Sequence, residues 1–304
     1  MKFALSTGQR QFAASLHDLL SGSDTPAVVR AWGQGRREPG LKLWRGLGDL
    51  GVLDLLGELG AEAADVVVAF EALGYHAVPG PLVESVVVAP LLLPEPPEFA
   101  TVLAPEVPLA LDADLAQVVL RLDGPAAGRV EVEKVEPVSS IDPARRLFRV
   151  TGRDTPVPGD AARAFDYAVL AVSAQLVGAG RRLLDLAVAY AKQREQYGRP
   201  IGQYQAIKHL LADVVTRLEL ARPLLYGAAV AIQAGEATRD VSAAKVAAGD
   251  AAYLAARTAL QVHGAIGYTA EHDLGLWLTK VRALAGAWGG AAFHRRRVLA
   301  ALEG

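Results

Sequence analysis

Two short stretches in the second half of the 304-residue chain carry side chains suited to holding an anion. The first runs Tyr190-Ala191-Lys192-Gln193-Arg194-Glu195-Gln196-Tyr197-Gly198-Arg199-Pro200-Ile201 and continues into Gln205-Ala206 and Leu211-Ala212-Asp213. Arg194 stands near an expected helix end, where a guanidinium can grip a phosphate through two parallel hydrogen bonds. The second runs Gln261-Val262-His263-Gly264-Ala265-Ile266-Gly267-Tyr268-Thr269. Gly264 permits close backbone approach, and Gln205 and Gln261 offer amide hydrogen bonds. Taken singly, Arg194 reads as a charge at a helix C-terminus and His263 as a core histidine.

Other chemistries lack their residues. The chain has no cysteine, which removes disulfides, thiolate nucleophiles and thiolate metal sites together. Its six histidines form no H-x-x-x-H pair, and no Glu precedes a His by three, so the di-iron bundle pattern is missing. Gly46-Leu47-Gly48-Asp49-Leu50-Gly51 matches G-x-G-x-x-G, but helix-like sequence precedes it and strand-like Val52-Leu53-Asp54-Leu55 follows, the reverse of a dinucleotide site. Lys plus Arg number 31 against 33 Asp plus Glu, a net charge of -2 that argues against general nucleic-acid binding. No apolar run reaches the roughly 18 residues of a membrane span and no signal peptide is evident, so a cytoplasmic protein is expected.

Three zones must position these residues. Residues 1–95 read as a helical domain: Ser6 with Gln9 makes a capping box, Thr25-Pro26 starts a second helix, and Ala61 to Leu73 is a third candidate. Residues 96–160 read as a small antiparallel β domain, with alternation clearest over Arg129 to Val135. Residues 161–304 read as a four-helix bundle. Its helices are expected over about 166–197, 203–234 with a kink at Pro223, 242–264, and from 272 onward with a break at Gly286, Gly289 and Gly290. The fold class is therefore mainly α with a small β domain.

The two stretches together resemble the signatures of the acyl-CoA dehydrogenase family: Arg, aromatic-Gly, Pro-Ile, Gln-Ala and Leu-Ala-Asp, then Gln-x-x-Gly-Gly-x-Gly-aromatic. Ala265 replaces one Gly. Leu43-Trp44-Arg45 through Leu53 is similar to the family's N-terminal helical domain, so the likeness covers most of the chain. It implies that Arg194, Gln196, Tyr197, Gln205, Gln261, His263, Gly264 and Ala265 reach an FAD held mainly by a neighbouring subunit.

The reaction needs a carboxylate to remove the α-proton while hydride leaves the β-carbon for the flavin. The family's usual Glu follows an aromatic residue; here the matching segment is Ala287-Trp288-Gly289-Gly290-Ala291, with Gly289 at the Glu position. An alternative base position on the preceding long helix falls at Ala168-Val169-Leu170, which has no carboxylate. The middle zone also lacks the family's Thr/Ser-rich segment and its Trp, since no Trp lies between Trp44 and Trp277. The resemblance is nearest to short non-catalytic subunits of actinobacterial α2β2 enzymes acting on steroid side-chain CoA thioesters. It implies a catalytic partner that binds most of the acyl-CoA. Two alternatives stand: a homomeric enzyme using Asp166, Glu271 or Asp273 as base, or a non-enzymatic scaffold.

Overall fold

A computed structural model describes residues 4–57, 60–235, 237–269 and 271–303. Helix α1 (Thr7–Ser21) begins at the expected capping box, with the Ser6 hydroxyl accepting from the Gln9 amide and the Gln9 side chain accepting from the Ser6 amide. Helix α2 (Thr25–Gly33) is capped by Asp24, and α3 (Glu38–Asp49) carries most of the glycine pattern. The strand-like Val52 to Leu55 turns out to be a run of turns. Val52 and Leu55 are buried in the helical core, and among the described residues no strand pairs with them. Val66-Val67-Val68 lies inside α4 (Ala63–Tyr75), where all three valines are buried, as in a helix covered on every side. A π-helical turn over Glu84–Val88 leads into α5 (Ala89–Leu92).

Five strands follow: β1 (Ala100–Leu103), β2 (Ala110–Leu111), β3 (Val118–Asp123), β4 (Ala126–Val138) and β5 (Leu147–Val157), in the spatial order β1-β3-β4-β5-β2. The sheet is mixed, which corrects the antiparallel expectation. After β1 the chain crosses to β2 on the far edge and returns, so β3 runs parallel to β1, with Ala100 opposite Val118. Alternation along the segments shows which face is buried but carries no information on strand direction.

The rest is helical apart from one short hairpin: α6 (Ala161–Gln193), then α7 (Gln205–Ala234) with Pro223 inside it, α8 (Thr238–His263), α9 (Leu274–Gly286) and α10 (Ala291–Glu303). Helix α6 starts five residues before its expected start, because the Asp160 side chain caps the Arg163 amide. It ends at Gln193 instead of continuing to Tyr197. Helix α6 is the axis of the molecule, buried almost without a break from Ala164 to Gly180. It meets α4 at backbone contact. A Cβ on Gly178 would lie 1.9 Å from the Glu71 carbonyl oxygen, and one on Gly74 would lie 2.1 Å from the Gln175 carbonyl oxygen. Among the described residues, no helix is long and apolar enough to cross a membrane.

Candidate functional site

Beyond α6 the chain folds into a tight hairpin of β6 (Glu195–Gln196) and β7 (Arg199–Pro200). Its two turn residues, Tyr197 and Gly198, have φ of 53° and 77°, the left-handed pair that matches the twist of a two-residue hairpin. The aromatic-Gly pair is thus the turn itself, and it leaves the Tyr197 side chain 94% exposed. The Ile201 amide donates to the Arg194 carbonyl oxygen (2.8 Å), and the Tyr204 hydroxyl donates to the Gln196 carbonyl oxygen (3.0 Å). The Arg199 guanidinium lies over the Tyr204 ring at 4.1 Å. These contacts hold the backbone and leave the Arg194 guanidinium exposed, without a partner among the described residues. Gln205 opens α7, also exposed.

The second stretch ends α8 and turns at Gly264, whose φ is +63° and whose Cβ position has no atom within 4 Å. A side chain there would have room but would strain the backbone. Gln261, Gly264 and Ala265 are exposed. His263 differs from its neighbours: it is buried, and its Nδ1 donates to the Ala259 carbonyl oxygen at 2.8 Å. Its ring stacks on Tyr190 with centroids 4.4 Å apart and meets His272 edge-on at 5.0 Å. Burial lowers its pKa. The Tyr190–His263 stack pins the end of α6 to the end of α8, so the two stretches share one end of the bundle. Arg194, Gln196, Tyr197, Gln205, Gln261, Gly264 and Ala265 face outward there, and His263 braces them from below.

In the Ala287–Ala291 segment, where a catalytic carboxylate was sought, Trp288 and Gly289 have φ of 55° and 96°. A Cβ on Gly289 would stand 2.5 Å from Phe293 Cδ1 and 2.8 Å from His294 Nε2. Trp288 is fully buried against Phe165. His294 is equally buried: its Nε2 donates to the Trp288 carbonyl oxygen (2.9 Å) and its Nδ1 lies 3.2 Å from the Ser242 hydroxyl. Burial holds His294 down at about 4. The Trp288 segment is therefore packed core. The other carboxylates considered as bases are engaged or exposed. Asp166 pairs with Arg297 (2.7 Å) and Thr238, Asp273 pairs with Arg30 (2.6 Å), and Glu271 lies on the surface.

Sequence reasoning overlooked the buried charges. Lys245 donates to the Leu284 and Ala285 carbonyl oxygens, capping α9, and burial lowers it to about 7. Lys280 donates to the Ala77 and Val78 carbonyl oxygens and is lowered to about 8. Asp112 accepts from the Trp32 indole (3.0 Å), with burial raising it to about 7, and Glu84 in the π-helical turn is buried and raised as well. Helical spacing carried a signal for Lys245: Val241, Ala248 and Ala252 lie on the same stripe, all buried.

Residues 159–303 match the family model described as acyl-CoA dehydrogenase, C-terminal domain. Acyl-CoA dehydrogenase IpdE2 of Mycobacterium tuberculosis is 32% identical over 295 residues, covering 89% of each chain. Among solved structures, a variant of the Tcur3481-Tcur3483 steroid ACAD superposes with a TM-score of 0.84 at 20% identity, over 97% of this chain and 98% of that one. A chain of the ChsE4-ChsE5 complex from Mycobacterium tuberculosis superposes with a TM-score of 0.82 at 22% identity, over 100% and 99%.

Proposed function

The chain belongs to the acyl-CoA dehydrogenase family, and from that premise we propose that it is the subunit without a catalytic base in a heteromeric, FAD-dependent acyl-CoA dehydrogenase. The partner supplies the carboxylate, the flavin-ring pocket and most of the acyl-CoA site, in an α2β2 assembly. The carrying observation is Gly289, where a positive φ and the closeness of Phe293 and His294 leave no place for a Glu side chain. The solved neighbours bear on the assembly and the substrate. One is a two-protein complex and the other a steroid ACAD. Steroid side-chain CoA thioesters are the substrate class this reading takes.

The residues at the end of the bundle fit a dinucleotide held elsewhere. Among the described residues Arg194 is a cation without a side-chain partner, Gln205 and Gln261 are exposed amides, and Gly264 leaves open space beside its backbone. Bound FAD supplies the acceptor for the hydride leaving the β-carbon. On this chain, Arg194 would neutralise the phosphates of the dinucleotide, and Gln205 and Gln261 would donate hydrogen bonds to it. The Gly264 turn lets backbone come close, and His263 keeps the turn in place through its stack on Tyr190. A surface site whose donors all face outward suits a contribution to a neighbour's cofactor.

Co-expression with a candidate catalytic partner tests the reading. The complex is expected to carry bound flavin and to oxidise acyl-CoA. Arg194→Ala is expected to lower the flavin retained per complex by about tenfold or more in affinity, as for a lost charge-assisted pair, with the assembly intact. Stoichiometric FAD and acyl-CoA oxidation by the chain alone would overturn the proposal. Absence of flavin from every complex would turn the reading toward a scaffold.

A further inference from the structure

The carboxylate that opens α9 does not do what its position favours. Asp273 is the N-cap residue of α9, and an aspartate there ordinarily accepts from amides of the first turn. Ser6 and Asp160 do so at α1 and α6, from extended backbone with ψ of 166° and 95°. Asp273 instead has helical backbone, with φ of -62° and ψ of -20°, and its side chain caps nothing. Its Oδ1 accepts from the Arg30 guanidinium of α2 at 2.6 Å, across 243 residues of chain. The amide of Leu274 donates to His272 Nδ1 at 3.1 Å.

The Arg30–Asp273 pair bears on the stretch that carries Gly264 and Ala265. The tight helical turn over Gly264–Tyr268 rests on the start of α9. A Cβ on Gly267 would lie 3.1 Å from Leu274 Cδ2 and 3.2 Å from His263 Cβ. His272 meets His263 edge-on, and His263 stacks on Tyr190. Among the described residues, the hydrogen bonds of residues 264–269 and 271–273 stay within the stretch or reach the helices that it joins, apart from the bond to Arg30. Without Arg30 the Asp273 carboxylate is free to cap α9. Capping turns ψ of Asp273 into the extended region, and that rotation swings the preceding His272 away from His263.

We propose that Arg30 is a positioning residue of the dinucleotide surface: from the N-terminal helices it holds Asp273 off the α9 cap and thereby fixes the Gly264 turn. The role deepens the flavin reading and rests on it. Arg30 sits in the last turn of α2, where a cation is favoured. Both members of the pair are partly exposed, so the contact adds little to global stability. Its effect is therefore read at the turn and in cofactor affinity, not in unfolding.

The test uses the co-purified complex, stripped of flavin and titrated with FAD by fluorescence, with amide hydrogen exchange followed at residues 264–269. Arg30→Met is expected to speed exchange there and to weaken FAD binding at least about tenfold, while the urea midpoint stays nearly unchanged. Arg30→Lys keeps the charge and is expected to recover most of the affinity. Asp273→Ala breaks the same contact, so the double variant is expected to bind FAD no more weakly than the weaker single variant. Unchanged exchange in Arg30→Met overturns the proposal. So does a loss of affinity that comes with a lowered urea midpoint and no recovery with lysine, which is a folding effect. Faster exchange with unchanged FAD affinity, while Arg194→Ala lowers it, overturns the proposal and leaves the flavin reading standing. If neither Arg30→Met nor Arg194→Ala alters FAD binding, the flavin reading falls and the positioning role falls with it.

Discussion

At Gly289 the space for a side chain is closed off. The backbone there adopts φ +96°, which L-residues rarely tolerate, and Phe293 and His294 close over the place where a Cβ would stand. Restoring the family's carboxylate is therefore expected to fail twice. Gly289→Glu should cost about 2–5 kcal/mol, combining left-handed strain with overpacking, readable as a lower urea midpoint. It should also give the isolated chain no acyl-CoA oxidation, because the carboxyl would enter packed core and not a substrate site. A variant that is both stable and active alone would show that the base position had merely been vacated. Tyr197 is a second residue of this kind. Its left-handed conformation makes the hairpin turn after α6, which explains why an aromatic side chain is 94% exposed on the surface.

At the scale of elements, the crossing of α4 and α6 is the tightest joint in the fold. Gly178 lets the Glu71 carbonyl approach to 1.9 Å from where a Cβ would be, and the obstacle is backbone, which cannot rotate aside. Gly178→Ala is expected to cost at least about 3 kcal/mol by forcing the helices apart. Gly227, inside α7 with nothing within 4 Å of its Cβ position, is the control. Gly227→Ala should stabilise by about 0.5–1 kcal/mol through helix propensity. Thermal unfolding of the two variants should move in opposite directions, and equal shifts would mean that the crossing is not close. Much at this scale was legible in the sequence because it is local. The Ser6–Gln9 box, the Pro26 start and the alternation over Arg129 to Val135 each depend on residues within a few positions. The parallel β1–β3 pairing and the early start of α6 were not legible. The first depends on a crossover, and the second on one capping carboxylate. For the site, residue types and spacing were readable from the motifs. That His263 lies inside while its neighbours lie outside depends on the distant Tyr190, which spacing within one motif cannot reveal.

For the molecule as a whole, buried charges tie the zones together, and they set how its stability varies with pH. Lys280 on α9 holds the Ala77 and Val78 carbonyls after α4, joining the last helices to the first, while Lys245 joins α8 to the end of α9. Burial lowers both from 10.5, to about 8 and about 7 respectively. From about pH 7 to 10 the unfolded chain therefore binds more protons than the folded one, and stability must rise with pH, by at most about 1.4 kcal/mol per pH unit for each lysine. Below that window the signs oppose. His76 and His294, both lowered to about 4, make stability rise with pH, whereas Asp112, raised to about 7, makes it fall. Above about pH 10 Tyr226, raised to about 12, reverses the trend, since the unfolded chain ionises first. Urea unfolding between pH 6 and 10 is thus expected to give a stability that is nearly flat at first and then climbs. Lys245→Met should flatten the climb and raise stability near pH 7, because a thioether fills the same stripe without a charge to desolvate. If the variant instead loses stability across the whole range, the lysine's bonds to the α9 carbonyls outweigh the cost of burying it, and the alkaline climb must then belong to Lys280 alone.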